Sequence, residues 1–186
     1  VRRLILQTGL SIDGYVAALD RSHPWSDDGR GDDDVKRWIL DSVWGAGAHL
    51  MGRVTYEEMA AAWPTSDSDF ARPMNEIPKV VFSKTLERAE WAETRIARGD
   101  LRYEVEQLKR EPGADLIAYG GARLDQALAR LGLVDEYRLM IEPAALGAGL
   151  PLFKDLPEPL HLDLVEASTY ASGLAIHVYR PRGSAQ

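Results

Sequence analysis

The chain has 186 residues, 45% hydrophobic and 27% charged, which is the make-up of a globular protein and excludes a disordered one. At roughly 150 residues per domain this length suits a single domain over residues 1–186. Twenty-two basic against 29 acidic residues give a net charge of −7 with no basic cluster, and there is no cysteine; nucleic-acid binding, disulfides and thiolate chemistry are excluded, and a reducing cytoplasm is the expected compartment.

No apolar run approaches the ~18 residues of a membrane span. The run after Arg2-Arg3 is too short for a signal peptide and reads as a first strand, Leu4 to Leu10. Ser11-Ile12-Asp13-Gly14 then turns the chain outward. Residues 20–34 are rich in Asp, Ser and Gly, with Trp25 the only large apolar residue, and predict a long surface loop. Its acid pair Asp27/Asp28 and the run Asp32 to Asp34 read as solvated loop and helix cap. A helix follows, since Val35, Trp38, Ile39, Ser42 and Val43 share one face.

Ala48 to Met51 is a short strand between Gly47 and Gly52, and a helix starts near Val54 or Thr55 and stops before Pro64. Residues 65–78 predict a loop, Lys79 to Ser83 a strand, Trp91 to Ala97 another, and Leu101, Val105 and Leu108 a short helix. Asp115 to Tyr119 is a strand that runs into Gly120-Gly121. Leu124, Ala127, Leu128 and Leu131 mark the next helix, which Gly132 ends. Glu136 to Leu146 reads as a long strand. Period-two alternation at Leu160–Leu164 and Leu174–Val178 around Ser172-Gly173 predicts a terminal hairpin, with His161 and His177 facing each other or solvent. Alternating strands and helices imply an α/β fold with a mostly parallel sheet, and the hairpin adds antiparallel strands.

Three strand ends carry chemistry. Tyr119-Gly120-Gly121-Ala122-Arg123 stands at a strand-to-helix junction, where free helix N–H groups and close backbone approach suit a pyrophosphate. The alternative is a tight turn. Met51-Gly52-Arg53-Val54-Thr55 is a second such junction, with Thr55 as ligand contact or cap. Ser83-Lys84-Thr85 follows a third strand and could hold a phosphate monoester. In open α/β sheets ligands lie at the carboxyl ends of the parallel strands, so these junctions would share one crevice. The four histidines show no metal-ligand spacing and no G-x-S-x-G is present, which leaves no metal site and no serine-hydrolase elbow to propose.

Taken in order, these motifs resemble the dihydrofolate reductase-like superfamily. The likeness lies in Ser11-Ile12-Asp13-Gly14, in Met51 to Glu57, in Pro78-Lys79 with Ser83 to Leu86, in Gly120-Gly121 with Leu124, and in Leu133 to Glu136 with Pro143 to Gly149. Within the superfamily the chain looks most like the C-terminal reductase domain of the riboflavin-biosynthesis deaminase–reductase and its stand-alone relatives. The resemblance implies a three-layer fold with a central mixed sheet flanked by helices. It implies NADPH as cofactor, hydride transfer to a pyrimidine-, pterin- or related substrate such as 5-amino-6-(5-phosphoribosylamino)uracil, and a homodimer.

Carried over by position, Gly52, Arg53 and Thr55 would contact the nicotinamide half and the diphosphate. Ser83 and Lys84 would take the adenosine 2′-phosphate, and Gly120, Gly121, Ala122 and Arg123 the pyrophosphate. Asp13 and Asp34 are the two acids nominated to serve the substrate, and Arg21 and Arg30 the only bases in the 20–34 loop for a ribosyl phosphate. The alternative is a non-catalytic ligand-binding regulatory protein on the same fold.

Overall fold

The computed structural model describes residues 1–25 and 32–183. Its spine is an eight-stranded sheet in the order β5-β4-β3-β6-β1-β7-β10-β9. Six strands are mutually parallel: β5 (Thr94–Ala97), β4 (Lys79–Phe82), β3 (Ala48–Gly52), β6 (Leu116–Ala118), β1 (Leu4–Ser11) and β7 (Glu136–Glu142). The antiparallel hairpin of β9 (Leu162–Thr169) and β10 (Ala175–Pro181) extends the sheet from β7. A small second sheet pairs β2 (Tyr15–Ala17) with β8 (Leu150–Pro151). The fold is the expected one, α/β with a mixed, mostly parallel sheet.

Five helices cover its two faces. The helices α4 (Leu101–Arg110) and α5 (Ala122–Arg130) lay Val105, Leu108, Leu124 and Leu128 on one face, against Leu4, Leu6, Leu50 and Leu116. On the other face are α1 (Asp33–Trp44), α2 (Arg53–Ala62) and α3 (Ala71–Glu76), which bring Val43, Tyr56 and Met74 onto Met51 and Val81. Burial on both faces is why the central strands read as continuous apolar runs.

Several boundaries differ from the sequence reading, each for a local reason. The start of α1 is the expected one, capped by Asp32, whose carboxylate accepts from the Asp34 and Val35 amides, and those that follow depart from expectation. The expected loop over 65–78 contains α3, preceded by a 3-10 turn at Trp63–Thr65. The strand β5 begins only at Thr94. Trp91 instead turns inward, its ring 6.2 Å from that of Tyr56 and its Nε1 donating to Asn75 Oδ1 at 2.7 Å. The strand β7 stops at Glu142 and lies inside the sheet between β1 and β10. It offers no edge; the open edges are β5 and β9, and β9 carries exposed Leu164 and Val165.

The terminal hairpin does not bring its histidines together. His177 stands opposite Ala167 in the ladder and meets the Tyr179 hydroxyl at 3.0 Å. His161 lies before β9 and its carbonyl accepts from the Arg182 amide.

Candidate active site

Parallel pairing of β3 with both β4 and β6 brings the three chemistry-bearing strand ends side by side. Gly52 pairs with Phe82, the residue before Ser83, and the Gly52 amide donates to the Gly120 carbonyl at 3.4 Å. The nominated residues of the three junctions therefore occupy one end of the sheet.

The Gly120-Gly121 turn is built in a conformation that side chains rarely adopt, with φ of 88° and 79°. Space is also closed to a side chain. A Cβ at Gly121 would lie 2.9 Å from Thr55 Oγ1, and one at Gly120 would lie 2.6 Å from Asp125 Oδ2. Beyond the turn, Ala122 and Arg123 open α5, where the first amides have no carbonyl one turn earlier to bond. Donors, a positive dipole end and bare backbone thus coincide, which is what a diphosphate requires. Gly52 is the N-cap of α2 and makes no side-chain cap bond. Thr55 is therefore not a cap; it is buried and its hydroxyl packs against Gly121.

The charged residues of the edge are only partly committed. Arg53 pairs with Glu57 at 3.0 Å on the surface of α2. Ser83 Oγ accepts from the Thr85 and Leu86 amides at 3.2 and 2.9 Å, so it shapes the turn and keeps its own hydroxyl proton to donate. Lys84 and Arg123 are exposed.

The nominated acids are both engaged by other groups. The Asp13 carboxylate accepts from Ser11 Oγ at 2.6 Å and from the Leu146 and Gly147 amides at 3.1 and 2.7 Å. Those bonds, that of Ser11 foremost, hold its carboxyl below the usual carboxylate range. Asp13 clamps the loop after β7 to the end of β1, which is a structural task and a poor setting for a proton donor. Asp34 forms an exposed pair with Arg37 at 3.1 Å. Asp13 follows the carboxyl end of β1, the parallel neighbour of β6, and Asp34 lies on the first turn of α1. Arg21 faces Glu58 at 3.7 Å, and Arg30, with Asp27 and Asp28, lies outside the described residues.

Sequence reasoning missed several buried polar groups. Asp125, on the first turn of α5, is 1% exposed; its Oδ1 has no hydrogen-bond partner, and burial pushes its carboxyl up to about 8. The signal was an acid three residues before Leu128, on the apolar stripe. His49 and Tyr119 have ring centroids 5.1 Å apart, and neither the imidazole nitrogens nor the phenol oxygen finds a partner. Burial lowers His49 to about 4 and raises Tyr119. Beside His49 in the ladder, Lys79 donates to the Met74 and Asn75 carbonyls, and burial lowers its ammonium to about 8. Trp25 and Glu142 are buried together over Gly9, whose Cβ would lie 3.7 Å from Trp25 Nε1 and 3.8 Å from Glu142 Oε1.

A concavity of about 440 Å³ lies between α1 and the opposite end of the sheet. There Arg3, Arg138 and Arg180 all bond the buried Glu136 carboxylate. Its arginines are spent on an internal carboxylate, so it does not compete with the glycine edge as an anion site. Among the described residues, no cluster of His, Asp and Glu could hold a metal ion and no helix is long and apolar enough to cross a membrane.

The family described as RibD C-terminal domain matches residues 2–176. The uncharacterized protein YyaP of Bacillus subtilis (strain 168) is 31% identical over 98% of this chain and 96% of its own. Among solved structures, a candidate riboflavin biosynthesis protein of Shewanella sp. PV-4 superposes with a TM-score of 0.77 at 20% identity, covering 97% of this chain and 99% of that one. The dihydrofolate reductase of Enterococcus faecalis, solved with NADP(H), gives a TM-score of 0.66 at 12% identity, with 97% and 96% covered. These two likenesses establish the fold.

Proposed function

Because the chain belongs to the RibD C-terminal domain family, we propose that it is an NADPH-dependent reductase that delivers a hydride to a pyrimidine-, pterin- or related heterocycle, of the kind reduced in riboflavin biosynthesis. The observation that carries this reading is the diglycine turn, left-handed at both residues and walled by Thr55 and Asp125 at the joint edge of β3 and β6. A dinucleotide diphosphate fits that cradle, because the first amides of α5 lie beside bare backbone, and Asp125 and Thr55 leave no room for a side chain at either glycine.

In this reading Gly120, Gly121, Ala122 and Arg123 hold the diphosphate through backbone amides. Gly52 and Thr55 border its nicotinamide side, and Arg53 adds positive charge. Ser83 donates its remaining proton to a 2′-phosphate and Lys84 supplies the counter-charge, which favours NADPH over NADH. When bound, the dihydronicotinamide supplies the hydride. The chain binds, orients and excludes water. Asp13 is clamped by Ser11 and Asp34 sits in a surface pair, which makes each a poor source of the accompanying proton.

That last observation favours one second reading, a ligand-binding protein that keeps the cradle and lacks turnover. Titration with NADPH and NADH by thermal shift, followed by substrate-dependent loss of dihydronicotinamide absorbance, separates the two. Tighter NADPH binding with oxidation supports the reductase, binding without oxidation by any heterocycle supports the second reading, and no binding removes both.

A further inference from the structure

Asp125 is the one residue of the cradle that has the wrong charge for it. Its carboxyl lies directly beneath Gly120, where its Oδ2 occupies the place a Cβ would need. It is 1% exposed and its Oδ1 bonds to nothing. The groups packed around it leave it without a counter-charge. Across the core, Tyr137 of β7 is the titratable neighbour, and its own ionisation is made harder by Asp125. From α2 the nearby polar group is the neutral Thr55 hydroxyl, on the far side of the turn at Gly121. On α5 itself Arg123 is turned to solvent. Burial alone accounts for the perturbation of Asp125, and no charged side chain contributes to it.

A carboxyl in that position must be neutral for the turn to hold two phosphate charges. An ionised one places a negative charge under the amides that face the diphosphate, inside a poorly screened core. We propose that Asp125 couples dinucleotide binding to protonation: the cradle accepts a diphosphate while Asp125 carries its proton and releases it when Asp125 ionises. This rests on the NADPH reading above, and it makes Asp125 a positioning residue that acts through Gly120 rather than a group that touches substrate.

The test is the dissociation constant of NADPH, read by quenching of intrinsic tryptophan fluorescence, across the mildly acidic to alkaline range. It is measured on the whole chain for wild type, Asp125→Asn and Asp125→Val. Lys79 titrates in the same range under burial, to about 8, and is common to all three proteins, as are the phosphates of the cofactor. Relative to both variants, wild type is expected to lose affinity by about tenfold or more as pH rises through the ionisation of Asp125. If wild type binds NADPH with a flat profile, or the variants weaken with the same pH dependence, the coupling is wrong and the NADPH reading stands. If wild type binds NADPH at no pH, both fall. Two variants of different shape guard against a loss that is only misfolding, which circular dichroism detects.

Discussion

Asp125 also makes a claim on stability that needs no cofactor. Burial raises its carboxyl from 3.8 to about 8 in the folded protein. In the unfolded chain the group ionises near its ordinary value. Between those limits the folded state keeps a proton that the unfolded state has released. Stability therefore falls as pH rises, by about 1.4 kcal/mol per pH unit for this one group. Its contribution is present in full below the unfolded value and is lost as pH rises through the folded one. From about pH 5 to about pH 7 the loss comes to about 2–3 kcal/mol, a large share of a net stability that is typically ~5–15 kcal/mol. Asp125→Asn keeps the shape and removes the titration. Urea unfolding of both proteins at about pH 5, 6 and 7 should show the variant gaining on wild type by about 2–3 kcal/mol over that interval. A gap that stays constant to within about 0.5 kcal/mol would mean that Asp125 is already ionised in the fold, and the reasoning above would be refuted.

Four further outcomes follow from named contacts. Gly121→Val sets a branched side chain against Thr55 Oγ1 at a φ of 79°, and should abolish NADPH binding while circular dichroism shows the sheet retained; normal binding would reduce the junction to a turn. Lys84→Ala should weaken NADPH by about tenfold and NADH little, as measured by fluorescence titration, and equal loss for both would show that Lys84 does not read the 2′-phosphate. Asp13→Asn should speed amide exchange at Leu146 and Gly147, whose amides it accepts, and leave single-turnover hydride transfer near the wild-type rate; a large rate loss would restore Asp13 as the acid. If a second copy of the chain covers the β9 edge, light scattering at micromolar concentration should give a dimer that Val165→Lys dissociates, and a wild-type monomer removes the idea.

What was legible in the sequence depended on how local its cause is. The buried strands announced themselves because both faces are covered by helices, so Leu4 to Leu6 and Leu116 to Ala118 are unbroken apolar runs. The diglycine turn was legible because its φ values of 88° and 79° belong to glycine. By contrast, β2 and β8 are three and two residues long and exist only because each finds the other across most of the chain. Tyr15 and Val16 favour a strand locally, but three residues are too few to stand out as one, and Leu150–Pro151 is shorter still. The role of Asp13 was hidden in the same way. Its motif position marked it as noteworthy, but its partners, the Leu146 and Gly147 amides, lie more than a hundred residues on.

Asp125 shows where pattern reading stops being sufficient. That an acid stands on the apolar stripe of α5 follows from spacing alone, since it lies one turn before Leu128 and Ala129. Such an acid usually meets a base, a hydroxyl or water. Whether it does is decided by elements that arrive from elsewhere, β7 with Tyr137 and the turn at Gly120, and here they supply no counter-charge. The two facts that make the cradle, bare glycines above and an unpaired carboxyl below, are then not independent. Gly120 has no side chain partly because Asp125 occupies its place, so an alanine at 120 should be better tolerated once Asp125 is reduced to alanine as well. That non-additivity is what a double-mutant cycle on cofactor affinity would read, and additive effects would mean that the glycine answers only to its φ and not to the acid beneath it.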